Sequence, residues 1–209
     1  EKFLPFFQEL LPLEIINDKK KNSLNPKTKK NLLYTGYFQK YKLVNSVAPQ
    51  LSTIIKPYLN QNTSKIFNEL YEKIIKTSNS VALCIRFYEE SDNPSSYTSD
   101  GKIKKPSDFN RIIKKIELLI KSPTFFIFVQ EENEFTKQLE FKSNYIFITH
   151  KKGYLGAWQR LKAQALCENH IFNNSTFYWW GSMISKIYYK KNSKDKSYVF
   201  VADNFLSSE

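Results

Sequence analysis

The sequence is short of metal ligands and thiols: its 209 residues hold two histidines and two cysteines. No metal-ligand spacing is visible around His150, His170, Cys84 or Cys167. Cys84 and Cys167 both stand in apolar surroundings, which reads as buried thiols in a reducing compartment. Long apolar runs are missing as well. None reaches the length of about 18 residues that a membrane-crossing helix needs. Residues 1–16 lack a basic start and a cleavage site, and carry Glu1, Glu9, Glu14, Pro5 and Pro12, so they do not read as a signal peptide. Arginine is scarce too. Only Arg86, Arg111 and Arg160 are found among 32 basic residues.

That scarcity qualifies the net charge of +12. A basic chain invites a nucleic-acid reading. Here the excess is lysine, spread along the chain with clusters at 19–21, 27–30 and 186–196, which reads as a solvated surface. Attraction to an anionic lipid surface or a polyanionic donor is the next reading, and no nucleic-acid partner is expected. Hydrophobic residues make up 41% and aromatics 16%, so the chain is globular with a sizeable core rather than disordered.

The order of elements points to an α/β protein. Residues 1–16 read as a helical or irregular apolar piece, and 17–31 as a loop. Leu32 to Tyr34 reads as a short strand before a turn at Gly36. Residues 40–57 and 62–77 have apolar residues at helical spacing, with Pro57 ending the first helix. From residue 80 onward, strands alternate with helices. Val81–Ile85, Thr124–Val129, residues 145–148, 171–172 and Tyr198–Ala202 are the expected strands. Asp108–Lys121 and residues 155–167 are the helices, the second with Leu155, Trp158, Leu161, Leu166 and Cys167 inward. The alternation argues a parallel, Rossmann-like sheet.

Two places stand out for chemistry. Arg86 follows a buried strand, and ligands in open α/β sheets meet the carboxyl ends of strands. A guanidinium there binds phosphate in two-pronged fashion, though a surface arginine would look the same. The second place is Ile171 to Ile184. A strand end, the polar run Asn173-Asn174-Ser175-Thr176 and an aromatic helix follow one another. The first turn of such a helix favours an anion. Ser175 or Thr176 suits the N-cap, and either hydroxyl could reach a phosphate. The plainer reading is a cap followed by a tryptophan-rich core.

The run Asn174-Ser175-Thr176-Phe177-Tyr178-Trp179-Trp180-Gly181 resembles the C-terminal signature of the α-1,2-fucosyltransferases, family 11 of the glycosyltransferases. There it reads N-S-T-F-S-W-W and a small residue. Leu166–Phe172 is similar to the family's approach to that signature, and Leu33–Tyr41 resembles its L-x-G-Y-x-Q-S-x-x-Y. The family's H-x-R-R-G-D-Y is represented by Cys84-Ile85-Arg86-Phe87-Tyr88-Glu89-Glu90, which keeps the first arginine as Arg86 and loses the second to Phe87. F-x-F-S-D-D-x-x-W is matched loosely by Phe126–Phe135, with Gln130 and Glu131 at the two aspartates. The family's opening glycine-rich segment has no counterpart in residues 1–31.

The resemblance implies a GT-B-type enzyme. Residues 1–78 would be a helical remainder of the acceptor-side lobe, and 79–209 a Rossmann-like domain for a GDP-sugar. It implies transfer of L-fucose from GDP-fucose to the 2-hydroxyl of a galactose-terminated glycan, with inversion and no metal or other cofactor. Arg86 would bind the β-phosphate, Ser175 and Thr176 would hold the phosphates, and Asn174 would fix the turn. Glu131 or Glu132 would accept from guanine N–H groups, and Glu89 is the candidate base. The acceptor would be a bacterial surface glycan, met by a cytoplasmic enzyme peripheral to the inner membrane. The alternative is a remnant that binds a GDP-sugar without transferring it.

Overall fold

The protein is described by a computed structural model, which defines residues 13–17, 31–35, 41–59, 64–87, 104–150, 156–189 and 197–201. Near the N-terminus, β1 (Leu13–Asn17) and β2 (Asn31–Thr35) pair in parallel, Leu13 beside Asn31 and Asn17 beside Thr35. The strand at Leu32–Tyr34 is therefore as expected, whereas the helical or irregular reading of 1–16 fails over residues 13–16. Five residues with two adjacent isoleucines are too short to nucleate a helix and suit an extended chain. Residues 1–78 are accordingly not all helical.

Three helices follow: α1 (Tyr41–Ser46), α2 (Ala48–Leu59) and α3 (Lys65–Lys76). The single helix expected over 40–57 is interrupted at Val47, and Pro57 lies inside α2 rather than ending it. In the last turn a proline removes only one backbone donor from a ladder that is already fraying. The start of α3 is fixed by Ser64, whose hydroxyl accepts from the Phe67 N–H at 3.3 Å. Phe67 and Ile74 on its inner face are buried.

The main sheet is built from β3 (Ser80–Cys84), β4 (Thr124–Phe128), β5 (Asn144–Ile148), β6 (Asn169–Phe172) and β7 (Val199–Val201). Its order is β5-β4-β3-β6-β7, and every pair is parallel. The chain starts in the middle, runs outward to β5, then returns to lay β6 on the other side of β3. That reversal gives a doubly wound, Rossmann-like sheet a switch point between its first and fourth strands.

Side chains alternate across the strands. Val81, Leu83, Phe125, Ile127 and Ile171 face α4 (Pro106–Leu119), through Phe109, Ile113 and Ile116. Ala82, Cys84, Phe126, Phe128 and Phe172 face the opposite layer. That layer is α3, α5 (Ala157–Leu166) and α6 (Thr176–Ile184), followed by a π-helical turn at Ser185–Tyr189. Phe67 and Ile74 of α3 lie in the same core as Trp179 and Met183 of α6. The boundary placed at 78/79 therefore separates a helix from a strand that share one core.

Strand β6 is two residues longer than the apolar pair expected at 171–172. Its first two residues are polar, and hydrogen bonds hold them. Asn169 Nδ2 donates to Ser80 O at 3.3 Å while its Oδ1 accepts from Tyr198 N at 2.9 Å. The His170 Nε2 sits 3.0 Å from Gln164 O.

Candidate anion-binding site

At the switch point the chain leaves β3 through Ile85-Arg86-Phe87 and leaves β6 through Asn173-Asn174-Ser175. One path leads toward α4 and the other into α6, on opposite faces, so a crevice opens between them at the carboxyl ends. Two side chains tie its walls. Asn173, 2% exposed, donates from Nδ2 to Arg86 O at 2.7 Å and accepts the Arg86 N–H at Oδ1, 2.9 Å. A peptide N–H only donates and a carbonyl only accepts, so the orientation of this carboxamide is fixed. Tyr178 then reaches from the first turn of α6 to donate its buried hydroxyl to Ile85 O at 3.2 Å. The carboxyl end of β3 is thus locked to the start of α6 from both sides.

This geometry sets the Arg86 backbone beside Asn173, the residue that leads into Asn174, Ser175 and Thr176. Arg86 is half-buried, Asn174 is buried, and Ser175 and Thr176 are half-buried. Ser175 has N-cap backbone geometry, φ −150° and ψ 120°, and its carbonyl accepts from Trp179 N at 3.0 Å. Its hydroxyl makes no capping bond. The first turn of α6 contains no acidic residue. By contrast, α4 also starts at the carboxyl edge but carries Asp108, whose Oδ2 accepts from Lys105 N at 3.0 Å. A helix start that holds its own carboxylate repels a second anion, so α6 is the better host for one.

Glu131 and Glu132 lie just past the carboxyl end of β4, one strand away, and are exposed. The turn behind them is well braced. Asn133 Oδ1 accepts from Phe135 N and Thr136 N, both at 3.1 Å, and Thr136 Oγ1 accepts from Asn133 N at 2.8 Å. Glu89 falls outside the described residues.

Three residues of this region escaped the sequence reading of the site. Asn173 makes two bonds that tie the turn to Arg86. Tyr178 is an anchor as well as core. Arg160 of α5 is 6% exposed and donates from Nη2 to Val129 O at 3.1 Å, just beyond β4. It places a guanidinium beneath the carboxyl edge. The fully buried row of α5 is Ala163, Gln164 and Ala165 with Arg160 and Lys162 almost as deep, whereas the expected Trp158 and Leu161 are half-buried beside Leu59 and Ile184. An apolar stripe was the signal sought; Cys167 is buried as expected, but Arg160, Lys162 and Gln164 are buried as well.

Both cysteine thiols are buried. Burial pushes Cys84 well above its ordinary range, helped by Cys167 and opposed by Arg160. Burial likewise raises Cys167, with Glu168 adding to the rise. Among the described residues no group of three His, Cys, Asp or Glu side chains could hold a metal ion, and no helix is long and apolar enough to cross a membrane.

On the α4 side of the crevice, a cavity of about 180 Å³ reaches from Lys104 and Arg111 to Asn173 and Phe200. The candidate site is therefore the crevice at the ends of β3 and β6, bounded by the Arg86 backbone held to Asn173 and by a helix start that is free of its own carboxylate. Compared with known proteins, the chain matches no family model, no curated protein and no solved structure.

Proposed function

We propose that this chain is the donor-binding part of an inverting, metal-independent fucosyltransferase that takes L-fucose from GDP-fucose to the 2-hydroxyl of a galactoside. One observation carries the reading. The Asn173 clamp joins Arg86 to the helix start bearing Asn174-Ser175-Thr176-Phe177-Tyr178-Trp179-Trp180, at the switch point where a nucleotide would bind. In this reading the donor diphosphate lies across that helix start. The first-turn N–H groups, the Ser175 and Thr176 hydroxyls and the Arg86 guanidinium offset the charge that builds as GDP departs. The acceptor oxygen bonds to fucose C1 as the C1–O bond to the β-phosphate breaks, and the acceptor proton passes to a base, for which Glu89 is the candidate. Glu131 or Glu132 accepts from the guanine N1–H and N2–H. The GT-B assignment belongs to this proposal, as do a glycan acceptor of bacterial surface type and a cytoplasmic, membrane-peripheral setting for the lysine-rich surface.

A second reading is favoured by Phe87. At the position where the related family has its second arginine, this ring packs 5.0 Å from Phe135 in the α4-side core. One phosphate-facing cation is thereby exchanged for packing, which suits a protein that binds a GDP-sugar without transferring it.

Calorimetric titration with GDP, GDP-fucose and UDP, beside Arg86→Ala, tests both. Metal-free binding of GDP but not UDP, lost in Arg86→Ala, is expected under either reading. Turnover of GDP-fucose in the presence of lactose then separates them. A folded protein that binds no GDP would overturn both.

A further inference from the structure

A larger cavity, of about 790 Å³, lies between β6, β7 and α6 and shares Phe172 and Val201 with the smaller one. That volume is in the range of pockets that hold small organic molecules, roughly 300–1,000 Å³. Phe172, Trp179, Met183 and Val201 are among its apolar walls, and the charged Glu168 and Lys186 and the hydroxyl-bearing Tyr189 and Ser197 also line it. Deeper in, three residues offer acceptors. The His170 ring is 2% exposed, and its Nε2 is committed to Gln164 O at 3.0 Å. A carbonyl can only accept, so that nitrogen carries the proton and Nδ1 keeps a lone pair. Burial holds the ring neutral, its pKa pushed down to about 4. Nδ1 has no partner among the described residues, and His170 lines the cavity. Ser182 and Ser185 line it too, and both hydroxyl hydrogens point into the protein, to Trp179 O at 2.8 Å and Cys167 O at 3.0 Å. Each presents lone pairs.

We propose that this cavity is a second binding site, for an aromatic or heteroaromatic ring carrying an N–H or O–H donor, which His170 Nδ1 accepts. The unmet acceptor at His170 selects a ligand that donates. The Trp179 and Phe172 rings favour a flat partner, for stacked or edge contacts. A plain hydrocarbon would leave the imidazole nitrogen without a bond. The inference uses neither Arg86 nor the α6 start, so it stands or falls apart from the nucleotide reading.

Indole is the probe, and benzothiophene is its comparison, with a sulfur in place of the N–H. The full chain, ¹⁵N-labelled, is titrated with each. Indole is expected to bind one to one and to shift the His170 Nδ1 resonance. Benzothiophene is expected to bind about tenfold more weakly, the factor for one unmet hydrogen bond. Val199 lines the cavity from β7 and is half exposed, so Val199→Trp can fill the space with little strain and should abolish indole binding. The proposal is overturned by absence of saturable indole binding, by equal affinities for the two probes, or by undiminished binding to folded Val199→Trp. The Nδ1 shift is read on the unaltered chain, so the test does not depend on the variant folding.

Discussion

Asn173→Ala removes the clamp between β3 and β6 and should destabilise the protein by about 2–3 kcal/mol. The figure follows from two hydrogen bonds, of 2.7 and 2.9 Å, made to the N–H and C=O of one half-buried residue. Each such bond contributes about 1 kcal/mol net, and an orphaned backbone group that water reaches poorly raises the loss toward the upper end. For a chain of this size that is roughly 5–10 °C in Tm. Urea denaturation followed by circular dichroism measures it, with the slope against urea checked for two-state behaviour. Asn173→Asp sharpens the test. Its carboxylate still accepts from Arg86 N but sets an oxygen against Arg86 O. Only the protonated acid can donate there, so folding raises its pKa above the ordinary value near 3.9. The folded state then binds the extra proton first, and this variant should gain stability as pH falls through the raised pKa toward 3.9. A loss below about 0.5 kcal/mol for Asn173→Ala, or a pH dependence of Asn173→Asp no different from the parent, would refute the clamp.

Other parts of the core give sharp outcomes. In Gly181→Ala the new Cβ would stand 2.8 Å from Gln164 Oε1 and 3.3 Å from Gln164 Cβ. The fully buried amide has little room to move, so a cost of about 1–3 kcal/mol should outweigh the roughly 1 kcal/mol of improved helix propensity, as urea titration would register. Gln164→Met keeps the length of a side chain whose Nε2 and Oε1 both lack partners. It should stabilise by about 1 kcal/mol in the same assay, and a clear loss would point to a buried water on that amide. For His170 the folded pKa of about 4 lies below the ordinary histidine value of 6.5, so the unfolded chain takes up the proton first as pH falls. The contribution of keeping this ring neutral is complete above 6.5 and is lost between 6.5 and 4, on the order of 3 kcal/mol. Urea midpoints across that interval, with His170→Leu as the comparison, should show the slope in the parent and a flatter line in the variant.

The legible part of the fold was the part written in apolar side chains. Val81–Ile85 and Phe125–Val129 are buried on both faces of a parallel sheet, so they appear as unbroken runs, and the helical spacing of Phe109, Ile113 and Ile116 marked α4. What periodicity could not show is where polar residues do structural work. Asn169 and His170 extend β6 because Ser80, Tyr198 and Gln164 meet their hydrogen-bonding groups. Pro57 is tolerated near the end of a helix, and residues 13–16 are strand because β2 pairs with them.

The candidate site divides along the same line. Arg86 and the run from Asn174 to Thr176 are visible as residue types beside strand ends. Their meeting depends on strand order, since β6 could have joined either edge of the sheet instead of lying against β3. Once it lies there, the next residue after the strand is 87 positions from Arg86 in sequence and within hydrogen-bonding distance in space. Asn173 serves that contact because a carboxamide offers the same donor and acceptor pair as a peptide unit and can continue a β ladder where the backbone turns away. Arginine at 160 is harder still to read. On a helix wheel it falls on the face with Ala163, Gln164 and Cys167, which resembles a half-solvated stripe, yet all four side chains are buried. A guanidinium placed there follows from the carbonyl of Val129, left without a strand neighbour on that side at the end of β4, and that vacancy exists only after the sheet has formed.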